Sequence, residues 1–482
     1  MQNLIPKSRM LFSYLYLLTG FVCHFFFNGK WIVPAAAFIT PILFIRFLRF
    51  QRPLRGFISL ILVIGISNIF VWRDMLPVSG FFYYILMFMM ALFTSLTFFL
   101  DRIYTETFKG FISTVVFPSA FVLMEFIVVS TNPSGSYGTM AHTQSSLSIL
   151  QLVSITGIWG ITFFIMWSAS VVNWLWDNSF ERECIKKALL MYGIPFLIIL
   201  LYGQVRLLST NGTPTVRIAA LNSTKEEYAY RRTANFDSSI IKANDKFLKN
   251  CRTAAASGAK IVFGRETIIS LPYDHENEFI EKAKSVAAAD SIYIGLPMQI
   301  IPKGYPGVRP ENKIIWISPQ GTILSTYYKA RPTPGEGSYG DGKVRSFDSP
   351  FGRIASTICF DMDFTTLINQ TGDMNIDIML VPGNDWQEIT PYHTYVASMR
   401  AIEHGFNLVR SVSGGFSASF DYKGRLLSSS DFFTTDQVIL YSDVPIHGNK
   451  TMYSSFGDYF AWFCILFSAS VSIIFVRKKL SH

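Results

Sequence analysis

RIASTICFDMDF, residues 353–364, sets a lone cysteine where a β-branched run gives way to an acidic stretch. The run GRIASTICF reads as a buried strand, with Cys359 at its carboxyl end. Two readings fit that position. A free cysteine packs well as a small buried hydrophobe. A thiol at a strand end of an α/β domain also stands where ligands collect, and can serve as a nucleophile.

Outward from this stretch the elements alternate. TVRIAALN, KIVFG and SIYIGLPMQI read as strands, with SSIIKANDKFLKNCRTAAASGA and NEFIEKAKSVAAAD between them as helices. KIIWIS and GTILSTYYK form a predicted hairpin through Pro319-Gln320-Gly321. After the cysteine come the strand NIDIMLVPG, the helix HTYVASMRAIEHG, and the strands FNLVRSVS, FSASFDYKGRLL and QVILYSDV, with a turn at Lys423-Gly424. Strands alternating with helices, together with antiparallel hairpins, predict an α/β domain of two sheets between helical layers.

This domain is embedded in a membrane protein. The mean hydropathy is +0.31, and only 16% of the 482 residues are charged. The apolar residues gather in blocks about as long as a helix needs to cross a hydrocarbon core. Seven lie before residue 205, at 10–27, 31–50, 57–72, 81–100, 111–130, 157–176 and 187–204, and an eighth, 457–476, follows the α/β domain. The first lacks a small-residue cleavage site and reads as a retained helix. The expected organisation is a seven-helix membrane domain over 1–205, a catalytic domain over 206–456, and a final span with a basic tail over 457–482.

With the amino terminus inside, the inward loops hold about fourteen Lys and Arg, against only Lys30 and Arg73 outside. The net charge of +9 therefore records membrane orientation, and a nucleic-acid partner is not expected. Seven spans deliver the α/β domain to the outer face. The five cysteines, Cys23, Cys184, Cys251, Cys359 and Cys464, form no CxxC and no metal-ligand spacing with histidine. A disulfide scaffold is not expected, although an outward domain allows one Cys251–Cys359 bridge.

Three predicted strand ends carry a polar residue: Glu266 in KIVFGRET, Lys329 in ILSTYYKARPTPGEG, and Cys359. Each alone has a plain structural reading, as a cap, a surface charge and a packed thiol. Together they make a coherent chemical set. The carboxylate takes the thiol proton, the ammonium favours the thiolate and an oxyanion, and the thiolate attacks a carbonyl.

FGRETIIS, YYKARPTPGEGSYG, ICFDMDF and VPGNDWQEITPYHTYVASMRAIEHGFNLVRSVSGGFSASFDYKG resemble the motif stretches of the nitrilase (carbon–nitrogen hydrolase) superfamily. The resemblance implies an α-β-β-α sandwich with Glu266 as general base, Lys329 as oxyanion stabiliser, Cys359 as nucleophile and Glu336 as a supporting second glutamate. Framed by seven spans and one span, with FPSAFVLMEF and TGIWGITFF in the membrane half, the domain resembles the apolipoprotein N-acyltransferase family. That resemblance implies a phospholipid acyl donor, a diacylglyceryl-cysteine apolipoprotein as acceptor, no cofactor or metal, and a bacterial inner-membrane location with the catalytic domain in the periplasm. A monomer is expected. This chain reads Cys359-Phe360-Asp361 where the family usually has Cys-Tyr-Glu, and Gly264-Arg265-Glu266 where it usually has Trp-Pro-Glu.

Phe360, Asp361, Asn384, Trp386 and Asn312 are the further candidates for substrate contact, the backbone N–H of Phe360 for the oxyanion. His393 is expected on a helix surface, and Arg400 and Glu403 as a helix-stabilising pair. Glu125, inside the fifth span, is expected to face an interior partner or a lipid headgroup. The long 131–156 connection is expected to form a cleft roof. Besides acyl transfer, two other readings stand: a membrane-anchored amidase that resolves the thioester with water or acylates another amine, and a polytopic scaffold or transporter with an inactive domain.

Overall fold

The computed structural model describes residues 7–480, except 109, 210, 211, 213, 226–237, 306, 334, 335, 338 and 339. The chain divides into two compact units, Met1–Leu208 with Asp458–His482, and Ser209–Gly457.

All eight apolar blocks are helical in the first unit. Among the described residues, six helices are long and apolar enough to cross a membrane: Pro53–Val71, Phe81–Thr105, Phe111–Thr131, Ile158–Asp177, Arg182–Leu208 and Tyr459–Leu480. Of the other two, Lys7–His24 carries charge or His at both ends and Pro34–Arg49 has only 16 residues. Proline opens Pro34–Arg49 and Pro53–Val71, where its missing N–H has no helical partner to lose. Several charges inside this unit are paired. Arg46 and Arg49 both reach Asp177, and Arg49 also reaches Asp101 at 3.3 Å. Trp159 donates to Asp458 at 2.6 Å, tying the last span to the Ile158–Asp177 helix.

Glu125 meets partners within the first unit. Its carboxylate accepts from the Met140 N–H at 2.8 Å and the Thr162 hydroxyl at 2.7 Å. A half-buried carboxylate is favoured by such donors, and the Met140 bond ties the 131–156 connection to the fifth span. That connection is itself folded, into a 3₁₀ turn at Met140–Thr143 and short helices Leu147–Leu150 and Val153–Thr156.

The second unit is a two-sheet sandwich between helices. In one sheet β1 (Thr215–Leu221), β2 (Ile261–Gly264), β4 (Tyr293–Ile301), β5 (Glu311–Ile317), β6 (Ile323–Tyr328) and β13 (Ile439–Pro445) lie in the order 13-1-2-4-5-6, and β3 (Ile269–Pro272) also pairs with β4. The other sheet has β7 (Arg345–Ser349), β8 (Gly352–Ser356), β9 (Ile378–Asn384), β10 (Asn407–Ser413), β11 (Phe416–Phe420) and β12 (Leu426–Asp431) in the order 12-11-10-9-8-7.

Period-two alternation distributes the apolar side chains. Ile218 and Ala220 of β1, Phe263 of β2 and Trp316 of β5 face a core shared with Ile354, Ile378 and Leu408 of the other sheet. Their neighbours Ala219, Leu221, Val262 and Ile315 pack with Phe247, Cys251, Phe279 and Val286 of the helices Ser238–Ala256 and Glu276–Asp290. Trp316 Nε1 donates to Ser356 Oγ at 2.8 Å, joining the two sheets. Cys251 and Cys359 fall in different layers, and both are free.

β1, β2 and β4 run parallel, as do β8, β9 and β10. The carboxyl ends of the two parallel sets meet. Asn222, just past β1, donates to Val412 O of β10 at 2.6 Å, and the Glu266 N–H, past β2, donates to Gly383 O of β9 at 3.3 Å. The strand before the cysteine is shorter than its sequence suggests. β8 stops at Ser356, and Cys359 opens a 3₁₀ turn, Cys359–Asp363.

Candidate active site

Glu266 follows β2 directly. Gly264 admits no side chain there, because a Cβ would lie 2.6 Å from Ile268. Arg265 fixes the peptide from the other side, donating to Ser223 Oγ at 2.6 Å and to Glu266 O at 2.7 Å. The Glu266 carboxylate is thus held inside the protein, 2% exposed. Its Oε1 accepts from Lys329 Nζ and from Asn312 Nδ2, both at 2.7 Å. Its Oε2 is buried with no hydrogen-bond partner among the described residues. One oxygen therefore anchors the carboxylate and the other is left to take a proton.

Lys329 emerges from β6 and is fully buried. Its Nζ bridges Glu266 and Glu336, the latter at 2.5 Å, and Glu336 Oε2 also accepts from the Thr333 N–H at 2.9 Å. Burial works against the ammonium, but Glu266, the Cys359 sulfur and Glu336 outweigh it, so the Lys329 pKa is raised and the amine stays charged. Burial, aided by Glu336, pushes the Glu266 carboxyl up although Lys329 and Asn312 pull it down. The result is a carboxylate more basic than one in water.

Cys359 has φ +49°, a left-handed conformation that costs a side-chain-bearing residue energy and occurs where the fold over-determines it. The turn aims Sγ at the end of β9, 3.9 Å from both Asn384 O and Asp385 Oδ1. Burial and Glu266 raise the thiol pKa well above its ordinary value, with Lys329 and Arg410 opposing. At rest the site holds a neutral thiol beside a Glu–Lys ion pair. Such an arrangement can move the thiol proton to the carboxylate as an electrophile arrives.

The other candidates separate. Asn384 is exposed and Trp386 and Phe360 half-buried at this edge. Asn312 and Asp361 are buried and bonded within the site. Asn312 orients Glu266. Asp361 is wholly buried and accepts from Tyr327 OH at 2.8 Å and from the N–H groups of Arg331, Ile358 and Ala330 at 2.7, 3.2 and 3.3 Å. It clamps the cysteine turn to the segment that carries Lys329. Burial pushes its carboxyl up to about 6, against Lys329 and its hydrogen-bond donors.

His393 is not a surface residue. It is 3% exposed, with Nδ1 at 2.9 Å from Asp385 Oδ1 and Nε2 at 3.1 Å from Asp363 Oδ2. Arg400 and Glu403 are likewise fully buried, with Arg400 Nη1 2.5 Å from Glu403 Oε2. Arg410 of β10, fully buried, was not singled out by sequence reasoning either. The available signal for His393 was its place seven residues after Trp386, at the start of the helix Tyr392–His404 that follows β9.

Burial and Arg410 act to neutralise His393, but Asp385 and Asp363 outweigh them and push its pKa up to about 9. Since the unfolded value is about 6.5, the imidazolium contributes stability in full below that pH and loses it as pH rises through about 9. The thermal midpoint of the detergent-solubilised protein is expected to fall between pH 7 and 9.5. His393→Gln is expected to flatten that decline, and identical pH profiles for the two proteins would exclude the assignment.

Residues 215–448 match the Carbon-nitrogen hydrolase family, and the α/β unit is a domain of that superfamily. The relationship extends into the membrane half. An apolipoprotein N-acyltransferase of Geobacter metallireducens is 20% identical over 402 residues, covering 78% of this chain and 76% of its own. Apolipoprotein N-acyltransferase 2 of Treponema denticola is 23% identical over 425 residues, covering 75% and 77%. A solved amidase from Nesterenkonia sp. aligns with 50% of this chain and 94% of its own at 16% identity, with a TM-score of 0.41.

Proposed function

We propose that the protein is a lipoprotein N-acyltransferase of the bacterial inner membrane, working through a thioester on Cys359. The observation that carries the reading is the similarity to apolipoprotein N-acyltransferases across both the apolar helices and the α/β domain. The site chemistry fits it.

The Cys359 proton passes to Glu266 Oε2 as sulfur bonds to the ester carbonyl carbon of a phospholipid. Lys329 and the Phe360 backbone N–H stabilise the oxyanion, with Glu336 holding Lys329 in place. The carbon–oxygen bond breaks, and the lysophospholipid alkoxide leaves with the proton from Glu266. The α-amino group of a diacylglyceryl-cysteine apolipoprotein then attacks the thioester and gives its proton to Glu266. The carbon–sulfur bond breaks, and the thiolate recovers that proton. The basic inward loops support a catalytic domain on the periplasmic face.

The test supplies purified protein in detergent with phospholipid carrying a labelled acyl chain and no acceptor. Label on Cys359 that hydroxylamine releases is expected, and a diacylglyceryl-cysteine peptide should discharge it as an amide. Discharge by water at the same rate with or without peptide would assign a hydrolase instead. No label at all would overturn thioester chemistry.

A further inference from the structure

Behind the Cys359 sulfur lies a group of charges that the Glu–Lys–Cys chemistry does not use. Cys359, Asp385 and His393 present one metal-ligand atom each, all within 4.8 Å of one another. The cation among them is a guanidinium. Arg410 Nη2 lies 3.1 Å from Asp385 Oδ1, 2.9 Å from His393 Nδ1 and 4.0 Å from Cys359 Sγ. We propose that Arg410 is a second cation for the reacting sulfur, held in place by Asp385 and Thr394.

Each part of the support is visible. Arg410 Nη1 donates to Thr394 Oγ1 at 2.8 Å, and Thr394 in turn donates to Phe416 O at 2.7 Å. Asp385 Oδ1 is shared between the guanidinium and the imidazole, while Asp363 holds the far imidazole nitrogen. Arg410 Nε is buried with no hydrogen-bond partner among the described residues. Gly383 leaves room for the guanidinium, since a Cβ there would sit 3.3 Å from Nη2. A buried Asp385 alone would repel a thiolate 3.9 Å away. With Arg410 and His393 beside it, the charge of Asp385 is offset, and a permanent cation stands 4.0 Å from the sulfur.

The inference rests on Cys359 as the nucleophile and adds a role in both half-reactions. When the S–H bond breaks and its proton goes to Glu266, Arg410 donates to the forming thiolate. When the carbon–sulfur bond breaks, Arg410 donates to the departing thiolate. Lys329, engaged with two carboxylates, is then free to serve the carbonyl oxygen. Arg410 acts on the sulfur directly, and His393 is a positioning residue that acts through Asp385.

The experiment reads Cys359 without lipid. The full-length protein in detergent is treated with iodoacetamide across pH 6 to 11, and alkylation of the Cys359 peptide is followed by mass spectrometry. Arg410→Gln is expected to move the profile up by about one unit or more, slowing alkylation about tenfold at pH 8. Arg410→Lys should recover part of the loss, and His393→Asn should shift the profile in the same direction by less. If Arg410→Gln does not fold, Arg410→Gln with Asp385→Asn is compared with Asp385→Asn alone, and the upward shift of the profile is read between those two. A profile superimposable on wild type in the folded variant would overturn the proposal. Because no acyl donor is present, that result leaves acyl transfer standing, and failure of acyl transfer leaves this result standing.

Discussion

Cys359→Ser is expected to lower acyl transfer by about 10⁴-fold or more and to abolish the hydroxylamine-labile label. Serine is nearly isosteric and tolerates the left-handed turn about as well as cysteine, so the fold survives the change. What is lost is chemistry. A carboxylate can accept a proton from a thiol poised beside a cation, but a serine hydroxyl holds its proton many orders of magnitude more tightly. Glu266, basic through burial, has no imidazole partner of the kind that activates serine elsewhere. Phospholipid binding should be unchanged, because the substitution removes an interaction made only during reaction. Measured single-turnover acylation beside equilibrium lipid binding checks both. Residual acylation within about tenfold of wild type would mean that another group carries the acyl chain.

The second large effect is expected at Asp361, which is predicted to destabilise the α/β unit when replaced by alanine. Four donors, from Tyr327, Ala330, Arg331 and Ile358, converge on its carboxylate. Asp361→Ala leaves them buried without an acceptor, and each such loss is costly. A loss of about 3–5 kcal/mol follows from breaking a buried charged network on one side. Activity should fall further than stability alone explains, because Ile358 precedes Cys359 and Arg331 lies two residues beyond Lys329. Asp361→Asn keeps one acceptor oxygen and should recover part of both. Thermal midpoints and initial rates of the three proteins decide the matter, and native values for Asp361→Ala would refute the clamp.

This residue also illustrates how far sequence reading reaches. Asp361 stands where the related family usually carries glutamate, and it was expected to touch substrate. The shorter side chain turns inward, where three backbone N–H groups and a phenol fit a carboxylate one methylene nearer the chain. Which way a side chain points across a turn depends on donors brought in from another strand, 30 to 34 residues away for Arg331 and Tyr327.

The apolar blocks, the alternation of strands and helices, and the three polar strand ends were all legible in the sequence. Each is a local property: mean hydropathy over one span, period two or 3.6 over one element, a polar residue where an apolar run stops. The relationship of the chain to carbon–nitrogen hydrolases was legible for the same reason, since its motifs are short and contiguous. Other features belong to the tertiary structure alone. β8 ends three residues before Cys359 because the turn at Cys359 is fixed by contacts around it, which strand propensity does not register. Asn312 reaches Glu266 across 46 residues, and Arg410 reaches Cys359 across 51. His393 reads as a polar residue on an amphipathic helix until Asp385 and Asp363 are set on either side of it. Pairing of buried charges is a matter of distance in space, and only the packing of two sheets at their carboxyl ends brings those charges together.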